Sequence, residues 1–401
     1  MMIPERPALE RRVLEALELN AGGAGPNGGR VPVVLGGCGT GRTALLLRLR
    51  DLLGRNAAQY VDVERIATTP ERFLKSLREA SPFPAQSSPL GSTDHGPRES
   101  FTAALTFLSE ARGTTGGPVT FLLDEFLELR TFESFPGLRT VLRDLVAALA
   151  ASPNRFVLTS RYTARSHRLL RDAPARFEVV PAGPLSAAEV RATLPTGIDG
   201  GASGFKDDDE EHAREDLARL VHALSDGRPA YARMIAETAA TLGPRGAADP
   251  VSALCSLLAP GAPLSAACRY CYELRLHRAR GYGALKAILE VLAEEEPLTL
   301  TEIALRLRRT PGSTKDYLSW LEDVDLIVSR QKRYSFADPL TRLWVRLHCR
   351  PVPPSVDEVA REVQAYAMAR LPQAEPVPVL AYAGADASPD ERKSWGIIEI
   401  D

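Results

Sequence analysis

No run of roughly eighteen uninterrupted apolar residues occurs anywhere in this 401-residue chain, which excludes a membrane-spanning helix of ordinary length. The first dozen residues, MMIPERPALERR, are charged and lack the apolar stretch of a secretory leader, so a cytoplasmic location is expected. Charge of one sign is not in excess either. With 49 Lys and Arg against 51 Asp and Glu, the net charge is −2, so no global basic field draws the chain to nucleic acid. Any DNA contact must come from a local patch. Cysteine is sparse: there are five, at Cys38, Cys255, Cys268, Cys271 and Cys349. Only Cys268 and Cys271 have metal-like spacing, and no second pair or His-x-x-x-His follows them, so they read as two buried thiols on one helical face. Lysine is scarce beside arginine. What the chain does have, 44% apolar and 25% charged residues, is ordinary for two or three globular domains.

The most informative stretch is Val31 to Arg50, VPVVLGGCGTGRTALLLRLR, an apolar run, a glycine-rich turn and an amphipathic segment. Gly36, Gly37, Cys38, Gly39, Thr40, Gly41, Arg42 and Thr43 match G-x-x-x-x-G-K-[ST] except that arginine replaces lysine. Such a loop binds phosphate through backbone N–H groups, including that of Ala44 at the start of the helix, and the helix's positive end adds to the attraction. Thr43 is the expected hydroxyl ligand of Mg²⁺, and Arg42 the expected charge on the β- and γ-phosphates of ATP or ADP. A planar guanidinium suits this loop less well than a compact ammonium, so nucleotide binding is expected to survive while γ-phosphate positioning suffers.

Pro118 to Leu129, PVTFLLDEFLEL, follows the loop by roughly eighty residues and ends an apolar run in two carboxylates. That is the pattern of a buried parallel strand with chemistry at its C-terminal end. Asp124 is the candidate metal ligand and Glu125 the candidate general base for the attacking water.

Along the chain, Glu5 to Leu19 reads as a helix followed by the linker AGGAGPNGGR. Strands are predicted at Ala58–Val63, Arg155–Ser160 and Phe177–Val180, and helices at Phe101–Arg112 and Leu138–Ala151. Ser81 to Ser100, rich in Pro, Ser and Gly, reads as a surface loop. Strands alternating with helices make a parallel three-layer α/β sheet. After Pro184 the pattern turns all-helical. Ser186 is a candidate N-cap, Gly197 to Asp216 an acidic solvated insert, and helices are predicted at 213–225 and 229–242. Three helices between Tyr282 and Ile327, then the two-stranded VSRQKRYSFADPL, make a winged helix-turn-helix. A last helix at Val356–Leu371 precedes a Pro/Ala-rich acidic tail. The expected units are a P-loop core (1–184), a helical lid (185–275), a winged helix (276–349), and a linker, helix and tail (350–401).

This order of loop, acidic strand, polar-tipped strand, lid and winged helix resembles the AAA+/STAND group of P-loop ATPases. The archaeal-type ATPases and archaeal origin-recognition proteins are similar over residues 5 to 347. The resemblance implies that Thr159 or Ser160 acts as sensor 1 beside the γ-phosphate or lytic water. It implies that Arg176, or alternatively Arg171, is an arginine finger acting in trans, which requires a homo-oligomer. Gly227-Arg228-Pro229 is similar to the GxP motif, placing Arg228 at a sensor 2 position, and Glu5 and Arg6 fall beside the adenine. Arg42 is the departure from the family pattern, and it puts rapid hydrolysis in doubt.

Arg308, Arg309, Lys315, Arg330, Lys332 and Arg333 distribute positive charge as a duplex-binding winged helix would, whereas Glu322, Asp323 and Asp325 would repel a phosphate backbone. FADPLTRLWVRLH looks built for packing. Three functions follow: a nucleotide-driven switch with slow or stimulated hydrolysis and a protein partner; a DNA-engaging ATPase of initiator, transposition or defence type; or a non-hydrolysing nucleotide-sensing scaffold.

Overall fold

Short apolar runs alternating with amphipathic segments build the first half of the chain. The computed structural model describes residues 6–18, 29–84, 96–194, 207–242, 249–277 and 281–371. In order come α1 (Pro7–Glu18), β1 (Val31–Leu35), α2 (Arg42–Leu53), β2 (Ala58–Asp62), α3 (Val63–Ile66), α4 (Pro70–Glu79), α5 (Pro97–Glu110) and β3 (Thr120–Asp124). A 3₁₀ segment (Phe126–Ser134), α6 (Val141–Ala151), β4 (Arg155–Ser160), α7 (Thr163–Leu170) and β5 (Phe177–Pro181) complete the sheet region.

The five strands are parallel in the order β2-β3-β4-β1-β5. Strand side chains alternate between faces, and the two faces meet different helices. Val34, Leu122, Val157 and Val180 pack with Val13 and Leu17 of α1 and Leu45, Leu46 and Leu49 of α2. Their strand neighbours Val33, Leu35, Phe121, Leu123, Phe156 and Leu158 join the cluster that holds Phe73 and Leu77 of α4, Leu108 of α5 and Leu145 of α6. The result is the three-layer sheet expected from the sequence. The order has one consequence for chemistry: β4 lies between β1 and β3, so its tip separates the glycine loop from the acidic pair.

Beyond the sheet come α8 (Ala187–Thr193), α9 (Asp207–Ser225), α10 (Pro229–Leu242), α11 (Pro250–Leu258) and α12 (Pro263–His277). Ser186 caps α8 in a reciprocal capping box with Glu189. The C-terminal unit is α13 (Tyr282–Glu294), β6 (Leu298–Thr299), α14 (Leu300–Arg306), α15 (Pro311–Asp323), β7 (Ile327–Arg330), β8 (Arg333–Phe336), α16 (Pro339–His348) and α17 (Val356–Arg370). Among the described residues, no single helix is long and apolar enough to cross a membrane.

Several boundaries differ from expectation. α5 begins at Pro97, because Gly96 and a first-turn proline start it inside the segment read as loop. The acidic run from Asp207 is helical, since carboxylates favour a helix N-terminus over a solvated loop. Residues 298–299 pair with β8, so the C-terminal sheet has three strands in the order β6-β8-β7, not two. Gln331 and Lys332, with φ of 51° and 63°, form the two-residue turn between β7 and β8. Glu5, most of the AGGAGPNGGR linker, residues 85–95 of the Pro/Ser/Gly loop, the Gly-rich part of the insert and the tail after Leu371 lie outside the described residues.

Candidate functional site

β1 delivers the glycine loop to the C-terminal edge of the sheet, where Gly36 N donates to Ser160 O at 3.3 Å. A Cβ on Gly36 would meet Thr40 Oγ1 at 2.8 Å and Ala182 O at 3.0 Å, so the position must stay bare. Gly41, with φ of 82°, turns the chain into α2 and offers no side-chain cap. The first helical bond is Leu45 N to Gly41 O at 2.9 Å, which leaves the amides of Arg42, Thr43 and Ala44 without a partner inside the helix. Two left-handed glycines, Gly39 and Gly41, and a helix N-terminus make an anion cradle.

The acidic pair sits across from it. Thr43 Oγ1 donates to Asp124 Oδ2 at 2.7 Å, and Tyr60 OH donates to the same oxygen at 3.0 Å. Thr159 donates to the other Asp124 oxygen and accepts the backbone N–H of Glu125 at 3.1 Å. Asp124 pushes the Tyr60 hydroxyl, already penalised by burial, well above its ordinary range. A hydroxyl and a carboxylate 2.7 Å apart are the hard oxygen donors that Mg²⁺ prefers, so these residues fit such an ion. Glu125 adopts a left-handed backbone (φ 54°), uncommon for a non-glycine residue and frequent where function dictates geometry.

Arg42 does not stand free over the cradle. Its guanidinium folds back to the carbonyls of Gly36 and Gly37, meets Thr40 Oγ1 at 2.9 Å and donates to Glu125 Oε1 at 2.6 Å. Glu125 is also held by Arg161, whose backbone N–H donates to Oε2 at 3.0 Å and whose Nε lies 3.1 Å from Oε1. Burial by itself would raise the Glu125 pKa, but the charges of Arg42 and Arg161 outweigh it and hold the carboxyl below the usual range. In this arrangement Glu125 is a poor base. Arg161 also pairs with Glu64 at the start of α3.

The start of α10 meets the same loop, and the C-terminal unit reaches it through Arg228. Ala230 N at the start of α10 donates to Gly39 O at 3.1 Å, and Arg228 Nη1 donates to Cys38 O at 3.0 Å. The other Arg228 nitrogen reaches Ala337 O at 2.9 Å, and Asp338 lies 3.6 Å away. Asp338 also caps α16 and accepts Tyr231 OH at 3.0 Å. Arg275 of α12, 3% exposed, donates to Asp325 O at 2.9 Å. Asp325 in turn accepts the backbone N–H groups of Thr163 and Ala164 at the start of α7, and Asp323 pairs with Arg168. Asp323 at the end of α15 and Asp325 just beyond it, expected to repel a duplex, bond the C-terminal unit to the sheet region. A cavity of about 1140 Å³ opens beside this joint, bordered by Tyr162, Arg165, Trp320 and Asp323.

Arg6 reaches the loop as well, with Nη1 3.3 Å from Thr40 O and Nη2 2.8 Å from Gly183 O. It borders a small cavity with Glu10, Arg48, Leu45 and Pro229.

Two candidates are not brought to the site. Arg176 lies at the opposite end of the sheet, before β5, and its guanidinium donates to Gly29 O, Leu149 O, Ala150 O, Ser152 O and Asn154 O at 2.6 to 3.0 Å. It ties off the carbonyls at the end of α6 and is not presented as a finger. Ser160 is buried, and its Oγ accepts Tyr162 N at 3.0 Å, so of Thr159 and Ser160 only Thr159 faces the acids. Arg161, Tyr60, Arg275 and Asp338 were not singled out from the sequence. Arg161 follows directly on the polar tip of a buried strand, which is a readable signal; Arg275 and Asp338 carry none, being brought in from distant helices.

No protein-family profile matches the chain, and no curated protein matches it. Among solved structures, a Walker-type ATPase of Pyrococcus abyssi is similar over 86% of this chain and 96% of its own, with TM-score 0.58 and 20% identity. Two more distant structures are an Orc1 protein of Aeropyrum pernix in complex with DNA (TM-score 0.41, 18% identity, 92% and 95% covered) and a Cdc6p of Pyrobaculum aerophilum (0.39, 14%, 92% and 97%). With its parallel sheet, its glycine loop between β1 and α2 and its acids at the end of β3, this chain has the P-loop NTPase fold.

Proposed function

We propose that the chain is an ATP-binding, AAA+/STAND-like ATPase that works as a nucleotide-dependent switch with slow or stimulated hydrolysis. The observation that carries this reading is Arg228, whose guanidinium touches the loop carbonyl of Cys38 and the Ala337–Asp338 segment of the C-terminal unit at once. A phosphate drawn to the cradle competes for that guanidinium, so occupancy and the position of the C-terminal unit are coupled. The amides of residues 39 to 44 bind the phosphates of ATP or ADP, Thr43 and Asp124 hold Mg²⁺, and Arg6 lines the cavity for the base. Bound Mg²⁺ supplies neutralisation of phosphate charge. Glu125 becomes a base for water only when Arg42 releases it, which makes hydrolysis slow until a partner or nucleotide rearranges the pair. Thr159 orients Asp124 and the Glu125 backbone. Arg171, exposed at the end of α7, is the remaining finger candidate if the chain forms a homo-oligomer.

Binding to the folded state must raise thermal stability. The test is a melting curve with and without saturating Mg²⁺–ATP, alongside a distance measured between a label on the sheet region and one on the C-terminal unit. A raised melting temperature with a changed distance is expected. An unmoved melting temperature sinks nucleotide binding; a raised one with an unchanged distance sinks the switch.

A second reading, DNA engagement, is favoured by the winged-helix order of the C-terminal unit and by Arg330, Lys332 and Arg333, which crowd an exposed turn. With Asp323 and Asp325 engaged by the sheet region, the charge left at the wing is basic.

A further inference from the structure

The cavity of about 1140 Å³ beside the joint has no part in the switch described above. Its walls are helix faces that the fold brings together: Arg165 and Leu169 on one side of α7, Leu142 and Val146 on one side of α6, and Trp320 and Asp323 on one side of α15. Most of its charges are already engaged. Arg130 pairs with Glu133 at 3.2 Å, Arg168 pairs with Asp323, and Glu128 is buried with a partner inside the protein. Arg143 and Asp172 stand exposed to water. Arg165 is different. Half-buried on the cavity wall, it makes no hydrogen bond or ion pair among the described residues, and its Nε is shut off from water without an acceptor. Its guanidinium carbon lies 5.2 Å from the centre of the Tyr162 ring. Burial and the like charge of Arg130 both draw its pKa down, yet a guanidinium keeps its charge at any ordinary pH. A charge partly withdrawn from water without a counter-ion is costly, and the cavity offers that counter-ion room beside an apolar wall. The volume is that of an organic ligand, for which pockets run to roughly 300–1,000 Å³, and far exceeds an inorganic ion.

We propose that this cavity binds an organic anion, its phosphate or carboxylate on Arg165 and its apolar body against Leu142, Val146, Leu169 and Trp320. The planar guanidinium matches either oxyanion, because two of its N–H groups can reach two oxygens at once. Neither the glycine loop nor bound nucleotide is needed for this site. α6, α7 and the 3₁₀ segment belong to the sheet region and α15 to the C-terminal unit. An occupant that touches Arg165 and Trp320 together therefore holds the two units at their present spacing, favouring that arrangement over any in which the joint opens.

The test measures binding to the full chain by calorimetry with 1-naphthyl phosphate, 1-naphthoate, neutral 1-naphthol and inorganic phosphate. The two naphthyl anions should bind at least tenfold more tightly than 1-naphthol, which lacks the charge, and the tighter of the two tells which oxyanion the site prefers. Inorganic phosphate, which lacks the apolar body, should show no binding that depends on Arg165. Arg165→Gln should weaken both naphthyl anions at least tenfold, and Arg165→Lys, which keeps the charge, should recover part of the loss. Ala147 is exposed at the rim of the same cavity on α6, where a helix accepts glutamate readily. Ala147→Glu should therefore fold, place a carboxylate beside the ligand's own and weaken both anions likewise; melting curves of the unliganded variants check folding. Absence of binding by either naphthyl anion overturns the site. So does 1-naphthol binding as tightly as the anions, or anion binding that neither Arg165→Gln nor Ala147→Glu weakens. Anion binding that Mg²⁺–ATP displaces and Arg165→Gln leaves unchanged belongs to the glycine loop, and overturns the site as well.

Discussion

Arg42 Nη2 lies 2.6 Å from Glu125 Oε1, with both side chains less than a tenth exposed, so the loop residue expected at the phosphates and the candidate base are bonded to each other. A lysine in this place could not span the same set of partners, because its single ammonium cannot serve the Gly36 and Gly37 carbonyls, Thr40 and Glu125 together. In the proposed switch, arginine at this position is a latch on the candidate base Glu125.

Arg42→Lys should therefore raise ATP turnover, while Glu125→Gln should abolish it and leave nucleotide binding in place. Steady-state phosphate release and equilibrium binding on the two variants decide this. If neither wild type nor Arg42→Lys turns over ATP under any stimulus, the non-hydrolysing scaffold is the better account.

The same pair governs acid stability. A carboxyl whose folded pKa is depressed contributes stability above its unfolded value, ordinarily near 4.5, and loses it as pH falls through the folded value. Glu125→Gln leaves Arg42 and Arg161 buried without their common partner and should cost about 3 kcal/mol at neutral pH. The gap between wild type and variant should narrow as pH drops below about 4.5. Urea melts across that range check the slope, and a gap that stays constant contradicts the pairing.

Arg176→Ala should lower stability by about 1 to 3 kcal/mol, since carbonyls at the end of α6 and before β4 lose their donor. Turnover per folded molecule should be unchanged. A large loss of turnover in a stably folded variant, appearing only at concentrations where chains associate, would restore the finger.

If the wing engages duplex DNA, the contacts fall on phosphate and affinity drops steeply with salt. Replacing Arg330, Lys332 and Arg333 together by alanine should flatten the dependence of log K on log salt by up to about three units. An unchanged slope places the contact elsewhere, and no binding by wild type at low salt makes this unit a packing or partner module.

The sheet and its loop were legible because their signals are local. A five-residue apolar run buried on both faces, a glycine where only bare backbone fits and two acids at a strand end each carry their meaning within a short window. The acidic face of α15 shows the limit of that window. Glu322, Asp323 and Asp325 carry the charge a DNA contact would avoid, yet Asp323 and Asp325 are bonded to Arg168 and the α7 amides, some 155 residues earlier.

The sequence by itself determined the three-layer sheet, the glycine loop between β1 and α2 and the Asp124–Glu125 pair, because period, glycine position and strand-end chemistry are properties of neighbouring residues. Only the tertiary structure decided what the charged side chains do. It bound Arg42 to Glu125, sent Arg176 to the far end of the sheet and joined Arg228 to Asp338. A buried charge or thiol is governed by whichever partner packing brings within a few ångströms, and that partner can lie anywhere along the chain.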